Sequence, residues 1–458
     1  MCSATSSDAG RNHVGENKWE ATVRLARSTL HGSLADPVLG SVSFLNEIMS
    51  RYPEAISFAP GAPHPEFFTT LDPHSYIERF LAHLRQDKGY SNERARRLLF
   101  EYGPSRGIIN DIVAETLRRD EGITAGPSEI VITVGAQEAL FLVLRALFTP
   151  STRGAVAVAN PCYPGIVGAA RLLDIPVVPI PESSNGIDID RLADTCSIAA
   201  QARQPIRVCY TAPDFANPGG SRMPVSTRHR LIELAEHADF LILEDNPYGF
   251  TALGHQVLPS LKALDTHERV IHVGTFAKTC FPGARVGYVI AGQEVDDGGS
   301  LADEIAALKS MVTVNTAPLA QAVVGGMLMA DGGTFTQQNR LKAARYQRNL
   351  DCLLTALDAG SKNWPEIEWN RPVGGFFVVM RLPVPADLAL LEISASEYGV
   401  LWTPMDQFYL DGTGSHRLRL SCSYLDVADI RRGIARLSAF IEHKILAPGF
   451  GHGVAPEN

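Results

Sequence analysis

Lys278 stands in "GTFAKTCFPGARVGY", Gly274 to Tyr288, just past an apolar run, with a Pro-Gly and then Arg285 close behind. A lysine amine at a strand end can form an imine with an aldehyde and, once displaced, shuttle a proton. Asp245 closes the run "FLILED" and Tyr248 follows it. A buried aspartate against a pyridine nitrogen keeps that ring protonated and able to accept electrons from a carbanion. Asn217, in "PDFANPGG", and the Tyr248 hydroxyl can hydrogen-bond a phenolate oxygen. Tyr163, in "NPCYP", offers a face on which a ring stacks. Gly135-Ala136-Gln137 opens a helix-like segment whose free N–H groups suit a dianion, and Arg285 and the Thr275 hydroxyl complete that cradle. Together these residues suit one planar, phosphorylated, electron-withdrawing heterocycle.

Most of these residues follow short β-branched runs. Strands are expected at 129–134, 155–160, 206–212, 240–246, 269–276 and 285–292, spaced by helical patterns such as "AQEALFLVLRALF". Apolar strands of this kind predict an α/β fold whose mainly parallel sheet is sandwiched by helices. Ligands of such sheets bind beyond the carboxyl ends of the strands. After about residue 300 the pattern changes. Long helical stretches at 301–330 and 335–358 precede strands in "GGFFVVMRL", "VLWTP" and "HRLRLSCS", and Asp426 is placed to N-cap a last helix. The expected organisation is a large domain over 75–330 and a smaller α+β domain that combines the N-terminal arm 21–74 with 331–446. Residues 1–20 and 447–458 read as disordered tails.

Length and composition narrow the function classes. A chain of 458 residues exceeds one ordinary core, and 45% hydrophobic with 20% charged residues is a globular composition. A net charge of −9 with dispersed arginines carries no electrostatic footprint for nucleic acid. The run "ALFLVLRALF" is too short to span a membrane and carries Arg145, and the N-terminus has no apolar signal region. The seven cysteines form no CxxC pair and no Cys/His cluster, so reduced thiols, a cytoplasmic location and no metal site are expected.

The motifs resemble the fold-type I pyridoxal-phosphate enzymes, specifically the class I/II aminotransferase family. "NPxYP", "NPGG", "EDNPYG" and "TFAKTCFPGARVGY" follow that family's order and spacing. The resemblance spans roughly residues 50–445. It implies a seven-stranded type of sheet, pyridoxal 5'-phosphate as cofactor, and a Schiff base on Lys278. It also implies an amino acid and a 2-oxo acid as substrates. "SFAPGAPHPEFF" is similar to the substrate-side segment, which places Gly61 over the substrate. "YGPSRG" is similar to "YGPTxG", whose tyrosine, here Tyr102, reaches the cofactor phosphate of the neighbouring subunit and so implies a homodimer with shared sites. "HRLRLSCS" resembles the "RLSFS" strand, where Arg419 would clamp the substrate α-carboxylate, with Asn217 nearby. The branch of 2-aminoadipate and arylglycine aminotransferases is the most similar, and "LHGSLADPVLGSVSFLNEIMSRYPEAISFAPG" resembles dihydroxyphenylglycine-type members. Ala62 and Cys422 depart from the pattern on the substrate side, and both leave the side-chain specificity open.

Plainer readings stand beside these. Lys278 alone reads as a surface lysine, Asp245 as a strand-end cap, Asn217 as part of a turn, and Tyr163 as packing under a loop. Arg417 lies on the same strand face as Arg419, and Cys280 suits a packed thiol. Two functional rivals also remain. The same deprotonation can expel a β or γ leaving group from a cysteine-like or S-adenosylmethionine-like substrate, or the chain can bind cofactor as a silent regulator.

Overall fold

A computed structural model of the chain describes residues 23–36, 47–149, 151, 153–254, 257–296, 298–330, 335–360 and 364–446. The tails expected at 1–20 and 447–458, and the arm residues 21–22 and 37–46, lie outside the described residues.

The central strands carry apolar side chains on both faces, which drives their burial between helices. Val208, Leu243 and Ile271 pack toward the helix Gly135–Leu147, while Cys209, Ile242 and Val270 pack toward Ile189–Gln201 and Val225–His237. Each such buried side chain is worth about 1.5–3 kcal/mol. Among the described residues the sheet has eight strands, the two-residue last one going beyond the seven-stranded type expected, in the order Ile130–Thr133, Gly287–Ile290, Val270–Thr275, Leu241–Asp245, Ile206–Thr211, Ala155–Asn160, Val177–Ser183 and Gly186–Ile187. Gly287–Ile290 is antiparallel to both neighbours, the short last strand is antiparallel, and the remaining pairs are parallel. The fold is therefore the expected α/β sandwich. From Ala155–Asn160 the chain first runs outward to Val177–Ser183, then returns on the other side as Ile206–Thr211. That reversal opens a crevice at the strand ends, the usual ligand position.

Val177–Ser183 was not among the expected strands, because Pro179 and Pro181 argue against a ladder position. Its outer neighbour pairs only at Glu182 and Ser183, so the missing N–H groups fall where little would bond to them. The helical stretch 301–330 is two helices, Leu301–Val312 and Pro318–Leu328. Val314 adopts a positive φ between them, and Pro318 can start a helix but not continue one.

A second core joins Ile48 and Phe58 to side chains from Leu350 through Ile445. Its antiparallel sheet runs in the order Glu368–Trp369, Phe377–Arg381, Arg417–Ser421, Thr403–Pro404. Asp426 caps the helix Val427–Phe440, accepting from the Asp429 amide at 2.8 Å. Ile56–Ser57 pairs parallel to Val400–Leu401, and the Ser421 amide donates to the Phe58 carbonyl at 2.7 Å. Phe58 is fully buried against Gly433, so the segment that follows, Ala59 to Ala62, is held across the crevice. Among the described residues no helix is long and apolar enough to cross a membrane.

Candidate active site

Strand alternation selects the reactive acid. Glu244 and Asp245 are adjacent at the end of Leu241–Asp245 and so point to opposite faces. Glu244 turns into the protein, where it accepts from His272 Nδ1 at 2.8 Å and from the Leu261 and Lys262 amides. Asp245 turns to the crevice. It is 4% exposed, and its Oδ2 accepts from the Tyr210 hydroxyl at 2.8 Å. Its Oδ1 is buried with no hydrogen-bond partner. Burial pushes this carboxyl up to about 6. A buried acceptor left open in this way calls for a donor from a bound group.

Lys278 sits on the single helical turn Phe276–Thr279, capped by Thr275 Oγ1, which accepts from the Ala277 amide at 3.2 Å. Its Nζ donates to the Gly61 carbonyl at 2.6 Å across the crevice. Burial first, then Arg419 and Arg285, brings the amine down to about 8, against the opposing pull of Asp245. A Cβ on Gly61 would lie 2.8 Å from the Phe377 ring, so the wall approaches this closely only with glycine there.

The helix Gly135–Leu147 starts with no side-chain cap, and Ala136 and Gln137 in its first turn border the crevice. Gly135 has a φ of 74°, and a Cβ there would stand 2.6 Å from Arg285 Nη2. Arg285, itself left-handed at φ 49°, lays its guanidinium against that helix start. Open N–H groups, the helix dipole and a guanidinium together form an anion cradle. Gln137 fastens the next element to it, accepting from the Tyr163 hydroxyl at 3.3 Å and donating to the Gly165 carbonyl at 2.8 Å.

Arg419, on Arg417–Ser421, is 5% exposed and forms no ion pair with a carboxylate among the described residues. It donates to Asn217 Oδ1 at 2.6 Å, to the Ala59 carbonyl at 2.8 Å and to Thr403 at 3.2 Å, with its Nε left open. The Phe377 and Phe408 rings flank it. Burial brings its guanidinium down to about 10. Arg417 instead lies over the Tyr409 ring. Tyr248 is buried edge-on to Phe376 and Phe377.

One cavity of about 440 Å³ gathers Gly61, Ala136, Gln137, Tyr163, Asn217, Asp245, Tyr248, Thr275, Lys278, Arg285 and Arg419. Gly135 lies just behind Arg285. Tyr102 is 89% exposed and does not border the cavity of its own chain. Sequence reasoning missed Tyr210, Glu182 and Gln407 among the polar groups of this site. Tyr210, the partner of Asp245, sits one residue inside its strand end, and Glu182 belongs to the unexpected strand Val177–Ser183. The signal for Tyr210 was an aromatic hydroxyl near the end of the mostly apolar run "IRVCYTA".

These groups fit pyridoxal phosphate. The open Asp245 Oδ1 matches a protonated ring nitrogen, the uncapped helix start with Arg285 matches a phosphate, and Lys278 matches an aldehyde. The sequence pattern of the family described as aminotransferase class I and II matches residues 78–437. The chain is 45% identical to an (S)-3,5-dihydroxyphenylglycine transaminase of Amycolatopsis orientalis, over 93% of this chain and 97% of that one. A crystal structure of an alpha-aminoadipate aminotransferase from Thermus thermophilus, complexed with N-(5'-phosphopyridoxyl)-L-leucine, superposes with a TM-score of 0.72 at 27% identity, covering 88% of this chain and 94% of that one. A Pyrococcus horikoshii kynurenine aminotransferase superposes at 0.73 with 27% identity, covering 87% and 94%.

Proposed function

The chain belongs to the class I and II aminotransferase family and is a pyridoxal-phosphate-dependent aminotransferase, and on that premise we propose that it moves the amino group between an arylglycine and a 2-oxo acid. The observation that carries the substrate class is the charge pattern of the cavity wall. Among the described residues its cations are Lys278, Arg285 and Arg419, which this reading assigns to the cofactor and the substrate α-carboxylate. None remains for an acidic side chain, and Met49, Pro161, Cys162 and Phe408 leave an apolar space of a kind that suits a ring. The likeness to a dihydroxyphenylglycine transaminase supports the same class.

Pyridoxal phosphate, when bound, supplies an aldehyde on an electron-withdrawing ring that takes up the electron pair left as Cα loses its proton. The remaining work falls to side chains of this protein. Ala136, Gln137, Thr275 and Arg285 hold the phosphate, and Gly135 lets the cradle close. Asp245, braced by Tyr210, keeps the ring nitrogen protonated. Tyr163 packs on the ring, while Asn217 and the Tyr248 hydroxyl bond its phenolate oxygen. Arg419 orients the substrate so that its Cα–H faces Lys278, and Gly61 leaves room above it. Lys278 Nζ, with its affinity for protons lowered by burial, takes that proton and later returns one.

The test is a donor panel with product mass. Purified holoenzyme given (S)-3,5-dihydroxyphenylglycine or phenylglycine with a 2-oxo acid is expected to release the arylglyoxylate at least about tenfold faster than it consumes 2-aminoadipate. The reverse order overturns the arylglycine reading. Without an acceptor, one equivalent of aminated cofactor should accumulate, whereas continuous release of a leaving group would mean elimination. Arg419→Lys keeps the charge but loses the planar fork, so KM for the donor should rise about 10- to 100-fold with a smaller change in kcat. An unmoved KM would put the α-carboxylate elsewhere.

This reading also includes a cytoplasmic homodimer with shared sites, in which Tyr102 serves the opposite cofactor phosphate. Exposed Phe100, Tyr102 and Met311 support a covered face, and six described cysteines are free thiols, which suits a reducing compartment. The division into a large part over 75–330 and a smaller one is part of the same proposal. Tyr102→Phe should weaken cofactor retention about tenfold, measured as bound cofactor after dialysis. Unchanged retention would remove Tyr102 from the site.

A further inference from the structure

Among the described residues, Glu182 is the one carboxyl on the cavity wall that the proposed reaction does not use. It projects from the outer part of the sheet, on Val177–Ser183, beside Pro161. Its Oε1 accepts from the Ser221 hydroxyl at 2.9 Å, and its other oxygen has no hydrogen-bond partner among the described residues. Gly219 faces that second oxygen, and a Cβ there would stand 3.6 Å from it. Glu182 and Pro161 also border a second cavity of about 390 Å³, so the carboxyl stands where the two spaces adjoin.

The charge environment separates Glu182 from the cofactor end. Burial pushes its carboxyl up to about 8, opposed by the Ser221 hydroxyl, and neither Lys278, Arg285 nor Arg419 contributes. A carboxyl shifted upward in this way takes up a proton more readily than an ordinary glutamate, and when protonated it offers one acceptor and one O–H donor beyond the Ser221 bond. It is thus a poor neighbour for an acidic side chain and a good one for a neutral hydroxyl.

We propose that Glu182, steadied by Ser221, is the specificity residue that receives a ring hydroxyl of the substrate side chain. This inference rests on the arylglycine reading, which it deepens. A ring carrying its hydroxyl at the meta position projects it away from Cα. A site built to bond that hydroxyl leaves the half-buried Glu182 oxygen without a protein partner when the hydroxyl is absent, and discrimination between such analogues follows.

The experiment measures kcat and KM of the wild-type, Glu182→Gln, Glu182→Leu and Ser221→Ala holoenzymes with four donors: 3,5-dihydroxyphenylglycine, phenylglycine, tyrosine and phenylalanine. Glu182→Leu should raise KM for dihydroxyphenylglycine about 10- to 100-fold while leaving phenylglycine within about threefold or improving it, with kcat nearly unmoved. Glu182→Gln, which keeps a donor and an acceptor, should recover most of the loss, and Ser221→Ala should show a weaker form of the same selectivity. Equal losses for both arylglycines, or a loss confined to kcat, would mean that Glu182 only braces the turn at Gly219 and would overturn the proposal. If the wild type turns over neither arylglycine, the arylglycine reading fails by itself. The Glu182 assignment is then decided on tyrosine against phenylalanine, where a selective loss supports it and an equal loss overturns it. Should Glu182→Leu fail to fold, as judged by its melting curve, the glutamine variant takes its place in the comparison, and an unchanged hydroxyl preference in both it and Ser221→Ala overturns the proposal.

Discussion

Replacing Lys278 with alanine is expected to lower turnover by about four orders of magnitude while leaving a folded protein that still binds cofactor noncovalently. Among the described residues the amine is the side chain on the cavity wall best suited to move the Cα proton: its Nζ reaches across to the Gly61 carbonyl, and its proton affinity is lowered to about 8. Lys278→Arg should be as inactive as the alanine variant, because a guanidinium stays protonated and cannot act as a base. The lowered value has a direction that can be checked in the wild type. Only the neutral amine attacks an aldehyde, so the rate at which apoenzyme captures pyridoxal phosphate should climb about tenfold per pH unit below 8 and level off above it. A lysine with the ordinary value of 10.5 would go on climbing past pH 9. Stopped-flow absorbance separates these profiles. Residual turnover above a few per cent in Lys278→Ala would mean that another base moves the proton.

Removing the Asp245 carboxylate should lower kcat by about 10²- to 10³-fold. Its open Oδ1 is the group that answers a ring N–H, and without a negative charge there the ring is a weak electron sink. Asp245→Asn tests charge apart from shape. The amide keeps a partner for the Tyr210 hydroxyl, so a loss as deep as that of Asp245→Ala assigns the effect to electrostatics. Asp245→Glu, which preserves the charge, should retain more activity than either. A coupled effect follows from the same geometry. Asp245 raises the proton affinity of Lys278, so in Asp245→Asn the capture profile should level off below pH 8. An unshifted profile together with near-normal kcat would place the nitrogen partner on another residue.

Much of this site was legible in the chain. Apolar runs with local periodicity mark strands, the strand ends mark the crevice, and Asp245, Lys278, Asn217 and the start at Gly135 lie at those ends because each is local to its run. Asp426 as a helix cap is local in the same sense. Pro179 and Pro181 hid a strand whose outer neighbour pairs only beyond them, at Glu182 and Ser183, and with it Glu182 was hidden. The break between Leu301–Val312 and Pro318–Leu328 was signalled by Asn315, Thr316 and Pro318, which the expectation of one long helical stretch passed over.

By itself, then, the sequence determined the sheet class, the strand-end residues and the kind of ring they suit, since those depend on residue type and short spacing. Only the tertiary structure decided who satisfies whom. Arg419 meets Asn217 across 202 residues of chain, Lys278 meets the Gly61 carbonyl across 217, and Tyr210 meets Asp245 across two paired strands. Such contacts follow from register and from the seating of Phe58 in the second core, which no local pattern encodes. The open Asp245 oxygen and the partly satisfied Glu182 carboxyl are visible only after every other hydrogen bond around them has been placed.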